Sequence, residues 1–261
     1  MHITSLQNPR VKHIVKLRED KRQRKEDGLI LVEGFDELTL ALRCGLVPLT
    51  LLSAPGLASR ALTFPNAETL TVSDAVFEKI SYRENPDGHL GIFPMPRRTL
   101  AELTLSPTPL ILVAESVEKP GNLGAILRTA DAAGVDAVLV CDPRVDVWSP
   151  NVIRASRGAV FAVPAVEAES LEALEWLQSR RMRVLAATPS AEEEYHNVHM
   201  QEPLAIAIGT EDRGLTKLWM ENADVRVKIP MFGRVNSLNV SIAAALLTYE
   251  CLRQRNHARK K

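Results

Sequence analysis

Leu110-Ile111-Leu112-Val113-Ala114, followed by Glu118-Lys119-Pro120-Gly121-Asn122-Leu123-Gly124 and then Ala125-Ile126-Leu127-Arg128-Thr129-Ala130, is the stretch on which the fold turns. Five apolar residues in a row suit a strand buried on both faces, the habit of parallel sheets. Two glycines let the backbone turn tightly into a helix over 123–133, which Gly134 ends. The alternation continues downstream. Apolar runs at 137–140, 183–187, 204–208 and 225–229 read as strands, and 150–157, 171–180, 217–221 and 241–253 as helical segments. This pattern predicts an α/β fold with a mostly parallel sheet flanked by helices.

Upstream of this block the elements are shorter. Asn8-Pro9 opens a helix whose Val11, Ile14 and Val15 share one face, while Arg10, Lys12, Lys16, Lys21 and Arg22 lie elsewhere, and Gly28 stops it. Strands are expected at 29–33, 47–53 and 89–93, with helices at 36–44 and 74–81, which makes a smaller α/β unit. Pro94-Met95-Pro96-Arg97-Arg98 and Pro107-Thr108-Pro109 bracket a join, because proline neither continues a helix nor donates to a ladder. The expected organisation is 1–96, a linker over 97–108, and 109–261.

Composition narrows the classes. The chain has 261 residues, 46% hydrophobic and 25% charged, an ordinary globular mixture. Aromatics at 5% argue against rows of base-stacking platforms. The longest apolar run, 242–247, is too short to span a bilayer, and the first residues carry no signal-peptide core, so no membrane role is expected. Cys44, Cys141 and Cys251 are scattered and suggest neither disulfides nor a zinc site; a reducing cytoplasm fits them. The net charge of zero hides basic ends. Residues 1–28 hold eight Lys/Arg against four acids, and 253–261 hold five with no acid. A solvated helix and a frayed tail would look the same.

In open parallel sheets, ligands gather where strands end at their carboxyl side. Three loops of that kind carry unusual residues. The first is 118–124, in which Asn122 is placed to cap the helix and Arg128 lies about two turns further along it; an ordinary cap and an ordinary ion pair are the plain structural alternatives. The second is Gly209-Thr210-Glu211-Asp212-Arg213-Gly214-Leu215, which alone is a solvated turn as readily as a ligand loop. The third is Ile229-Pro230-Met231-Phe232-Gly233-Arg234-Val235-Asn236-Ser237-Leu238-Asn239-Val240-Ser241, leading into a small-residue helix. Capping accounts for some of its Ser and Asn residues. Neither a dinucleotide fingerprint nor a P-loop is present, which counts against a nucleotide-dependent enzyme.

In order and spacing these segments resemble the three motifs of the SpoU/TrmH branch of the SPOUT methyltransferases. The stretch 3–12, with Lys21, Arg22 and Leu31-Val32-Glu33-Gly34, resembles the RNA substrate-binding domain, similar to ribosomal RNA-binding proteins, of rRNA-directed members. The resemblance implies a trefoil-knotted catalytic domain that works as a homodimer through that domain and binds S-adenosylmethionine in the knot. It implies methylation of a ribose 2′-hydroxyl in RNA, large-subunit 23S rRNA before tRNA. The positions it matches are Gly209, Ile229 and Leu238 for the cofactor, and Asn122, Arg128, Glu211, Ser237 and Asn239 for the reaction. Arg10, Lys12, Lys16, Lys21 and Arg22 are the expected RNA contacts. A non-catalytic RNA-binding module with the same fold is the competing class, which the intact polar set argues against. No metal is expected: His196 and His199 lack a third ligand. Trp148, Trp176 and Trp219 read as packing residues.

Overall fold

The computed structural model of the chain describes residues 2–210 and 212–258, with backbone alone at 258. The elements run β1 (His2–Ile3), α1 (Pro9–Glu19), α2 (Lys21–Asp27), β2 (Leu29–Glu33), α3 (Phe35–Arg43), β3 (Thr50–Ser53), β4 (Glu68–Val72), α4 (Asp74–Ile80) and β5 (His89–Pro94). They continue with β6 (Leu110–Glu115), α5 (Pro120–Ala133), β7 (Ala137–Cys141), α6 (Pro150–Ala155), α7 (Ala159–Ala162), β8 (Ala165–Ala168), α8 (Ser170–Ser179) and β9 (Arg183–Ala187). The last are β10 (Glu193–Glu194), β11 (Leu204–Ile208), α9 (Lys217–Asn222), β12 (Val225–Lys228) and α10 (Val240–Ala258). The chain divides into two compact units, 1–97 with 146–162, and 98–145 with 163–261.

Unit 1 is built on a five-stranded mixed sheet in the order β1-β4-β3-β5-β2, with β5 antiparallel to both β2 and β3. One face packs against Val11, Ile14 and Leu17 of α1 and Val76, Phe77 and Ile80 of α4. The single helix expected up to Gly28 is two helices. Asp20, extended at φ −111 and ψ 113, ends α1 and caps α2 by accepting from the Arg22 N–H at 2.7 Å. Gly28, left-handed at φ 64, ends α2. Segment 146–162, which the sequence assigns to the downstream domain, belongs here: α6 lies against β2 and α7 against α3. Arg24 fastens it, donating through Nε and Nη2 to Asp146 Oδ2 at 3.0 and 2.6 Å. Both side chains are almost fully buried, so removing one partner strands a charge.

Unit 2 contains a seven-stranded sheet, β10-β12-β9-β11-β6-β7-β8, parallel at every pairing. All residues of β6, β7 and β11 are buried, as two-sided coverage requires. The join expected over 97–108 is anchored rather than loose. Leu100 and Leu103 sit in the same core cluster as Ile111, Leu139 and Trp219, around a short 3-10 turn capped reciprocally by Thr99 and Glu102. Among the described residues, no helix is long and apolar enough to cross a membrane.

Candidate active site

The carboxyl ends of β9, β11 and β12 open onto one cavity of about 350 Å³. Its wall includes Ala187 and Thr188 at the end of β9, Ile208 to Thr210 at the end of β11, Val227, Ile229 and Met231 around the end of β12, and Ser237, Leu238 and Val240 before and at the start of α10. Gly209, Ile229 and Leu238 therefore meet on one surface. Ser237 lines it too. The wall is largely aliphatic, and its volume falls in the range of about 300–1,000 Å³ usual for small-molecule sites.

Close chain approach explains the glycine. A Cβ built on Gly209 would fall 2.2 Å from the carbonyl carbon and oxygen of Gly214 and 2.4 Å from the Leu215 nitrogen. The loop folds back tightly because Gly214, at φ 66, donates from its N–H to the Thr210 carbonyl at 2.9 Å. Its far end is tethered by a residue that the motif reading missed. Glu115, 1% exposed at the end of β6, accepts from the Thr216 N–H at 2.8 Å and the Thr216 hydroxyl at 2.7 Å. Ser170 Oγ lies 3.3 Å from the same carboxylate, donates to Asp142 at 2.6 Å and accepts from Trp219 Nε1 at 3.1 Å. The signal available in the sequence was an acid closing an otherwise apolar strand, an expensive choice unless donors surround it.

The polar residues fall into two groups. Asn239 caps α10, its Oδ1 accepting from the Ser241 N–H at 3.0 Å and the Ser241 hydroxyl at 2.6 Å. The Nδ2 of the same amide donates to Asn122 Oδ1 at 3.1 Å and so joins the starts of α10 and α5. Asn122 does not cap α5, as the sequence suggests. The helix begins earlier, with Lys119 as the cap residue and Pro120 at its first position, where the missing proline N–H costs nothing. Arg128 lies apart from these two on α5, about 12 Å along the axis from Pro120. It is exposed, off the cavity wall, and among the described residues its side chain has no hydrogen bond or ion pair. Glu211 lies outside the described residues.

Of the expected RNA contacts on α1 and α2, Lys12, Lys16 and Arg22 are exposed and Lys21 is half-buried. Arg10 is ion-paired to Glu68 at 2.6 Å, which reduces its availability. Of the basic tail, 259–261 lie outside the described residues. Cys141 is no nucleophile in waiting: burial pushes its thiol far up, and the neighbouring carboxylates add to the effect.

The chain is similar to known RNA methyltransferases. A solved RNA 2′-O ribose methyltransferase is 44% identical, covers 98% of this chain and 100% of its own, and superposes with a TM-score of 0.86. An AdoMet-bound rRNA methyltransferase from Sinorhizobium meliloti is 30% identical over 97% of both chains, with a TM-score of 0.87. A 23S rRNA (guanosine-2′-O-)-methyltransferase of Pseudomonas putida is 42% identical over 60% of this chain and 63% of its own length. Residues 8–91 match the MRM3-like substrate binding domain. Residues 109–249, more than half the chain and the whole of the cavity wall, match the family model that settles the lineage: this protein belongs to the SpoU rRNA methylase family.

Proposed function

We propose that the protein transfers a methyl group from S-adenosylmethionine to a ribose 2′-hydroxyl of large-subunit rRNA. One observation carries the proposal: Gly209, Ile229 and Leu238, from two separate loops, share the wall of a single cavity beside the polar start of α10. The largely apolar wall suits the face of an adenine. When bound, the cofactor supplies an electrophilic methyl on a sulfonium. The rRNA preference is supported by the matched substrate-binding domain and by the relatives that act on rRNA.

The chain's own residues then have three tasks. The Asn122–Asn239 pair fixes the start of α10 against α5, which keeps Ser237 and Leu238 in place. Ser237 offers a hydroxyl on the cavity wall. Arg128 binds substrate. A guanidinium offers N–H donors and no acceptor, so it stabilises the forming alkoxide and an adjacent phosphate while the hydroxyl proton passes to water. That its side chain has no partner among the described residues supports that assignment. Glu211 belongs with this set by its motif position.

A homodimer through the catalytic domain accompanies this proposal. Ile242, Leu246 and Tyr249 recur at helical spacing on α10 and are 51%, 39% and 50% exposed, an apolar stripe that a second copy would cover. Sedimentation at the mass of two chains is the expected result. The function itself is tested by incubating the protein with tritiated S-adenosylmethionine and rRNA from a strain lacking the gene. Label in a 2′-O-methylated nucleotide of the large-subunit RNA supports it. Label in tRNA alone moves the target, and none in any RNA leaves a non-catalytic binder.

A further inference from the structure

Unit 1 has a wide cleft of about 670 Å³ that the methyltransfer chemistry does not use. Tyr82 and Arg83 line it together with Arg154 and Arg157, from the segment 146–162. Most of its carboxylates are already engaged. Glu37 pairs with Arg83 at 2.7 Å, Asp36 with Arg60 at 3.6 Å, and Asp87 accepts the N–H groups of Phe35 and His89 at 2.7 and 3.2 Å. Glu84 is exposed. Arg154 and Arg157 have no acidic partner among the described residues and are exposed.

The cleft is built before any ligand arrives. The buried Glu33 carboxylate accepts from Ser81 Oγ at 2.5 Å and from the N–H groups of Tyr82 and Arg83 at 2.7 and 3.3 Å, so it sets the backbone that presents them. In segment 146–162, α6 ends in a turn in which Arg157 takes a left-handed φ of 53. Its N–H bonds the Arg154 carbonyl at 3.0 Å, and Gly158 follows at φ 82. An arginine in that conformation is strained, and here the strain leaves it lining the cleft. The Arg154 guanidinium lies 5.1 Å above the Tyr82 ring, which is itself 39% exposed.

An exposed aromatic ring under one guanidinium, beside a second guanidinium with no acidic partner among the described residues, is the chemistry that holds an unpaired nucleotide: flat groups for the base, charge for the phosphate. We propose that this cleft is a second RNA contact, in which Tyr82 and Arg154 stack a base and Arg157 meets its phosphate. This rests on the protein acting on RNA, as proposed above, and differs from the α1 and α2 surface. Neither family match alone spans it, since Tyr82 falls within 8–91 and Arg157 within 109–249.

The test is filter retention of rRNA from a strain lacking the gene, across a KCl series. Arg154→Ala/Arg157→Ala is expected to bind at least tenfold more weakly, with the slope of log K against log salt reduced by about two. Tyr82→Ala is expected to lose about fivefold or more with little change of slope, and Tyr82→Phe to bind like wild type. Thermal melting and calorimetric binding of S-adenosylmethionine stay at wild-type values in each. Arg157→Gln, a change at an exposed turn, gives the charge answer should the double variant fold poorly. Affinity and slope unchanged in a folded Arg157→Gln or double variant overturn the cleft while wild-type methylation stands. Wild type that binds no RNA overturns both proposals.

Discussion

The cavity of unit 2 is lined by a largely apolar surface on the loops around Gly209, Ile229 and Leu238, whereas the cleft of unit 1 presents long charged and aromatic side chains around Tyr82, Arg154 and Arg157. The parallel sheet brings three strand ends to one edge, so loops alone enclose a space. In the mixed sheet β5 runs against the other four strands, and the cleft of unit 1 depends on buried anchors, Glu33 and the Arg24–Asp146 pair, to hold a turn and an added segment. The two designs should fail differently. A pocket closed by tightly folded loops should suffer most from an intruding Cβ or a loosened loop. A cleft made of side chains loses function one charge at a time.

The largest expected effect lies on neither wall. Arg128→Ala should lower turnover about 10²–10³-fold, the loss typical of one transition-state donor, with cofactor affinity by calorimetry within twofold. An active variant would remove Arg128 from the chemistry. Next comes the close loop approach at Gly209. Gly209→Ala forces a methyl onto the Gly214 backbone and should cost about 3 kcal/mol in stability, with cofactor binding lost, whereas Gly233→Ala, which meets nothing within 4 Å, should be silent in both assays. Equal behaviour of the two would show that close approach is not what Gly209 serves.

Loosening the loop without touching the wall should have a smaller effect. Glu115→Gln leaves one Thr216 donor poorly matched, worth about 1–3 kcal/mol, and should raise KM for S-adenosylmethionine more than it lowers kcat. The smallest effect is on pH. Partial burial works to raise the Asp142 carboxyl, but the hydroxyl and N–H of Ser170 outweigh it and hold it below the ordinary carboxylate range. A depressed folded value means that this stability is complete above the unfolded value and lost as pH falls through the folded one. Acid melting curves of Asp142→Asn should therefore be flatter than wild type in that window.

The strands easiest to read were those buried on both faces, such as 110–114 and 204–208, because an apolar run carries its own signal. The missed strands show why others are silent. β4, Glu68-Thr69-Leu70-Thr71-Val72, alternates polar residues and is half solvated, and β8 is four residues of mostly alanine and valine. The expected strand at 47–53 begins only at Thr50: Val47 and Leu49 are 58% and 50% exposed, flanking Pro48. At the candidate site, the motifs located the cavity loops but not their supports. Glu115, Ser170 and Thr216 act through contacts up to 101 positions apart, which no local pattern encodes. Nor could spacing show that Arg24, one of several basic residues on the first helices, is spent on Asp146 rather than facing solvent.

The central claim is that the space where β9, β11 and β12 end binds the methyl donor. Calorimetric titration of S-adenosylmethionine into wild type and into Leu238→Trp, which fills that space, tests it most directly. Saturable binding at one molecule per chain in wild type, abolished in a folded Leu238→Trp, is the predicted result. No binding to wild type, or undiminished binding to the variant, would contradict it.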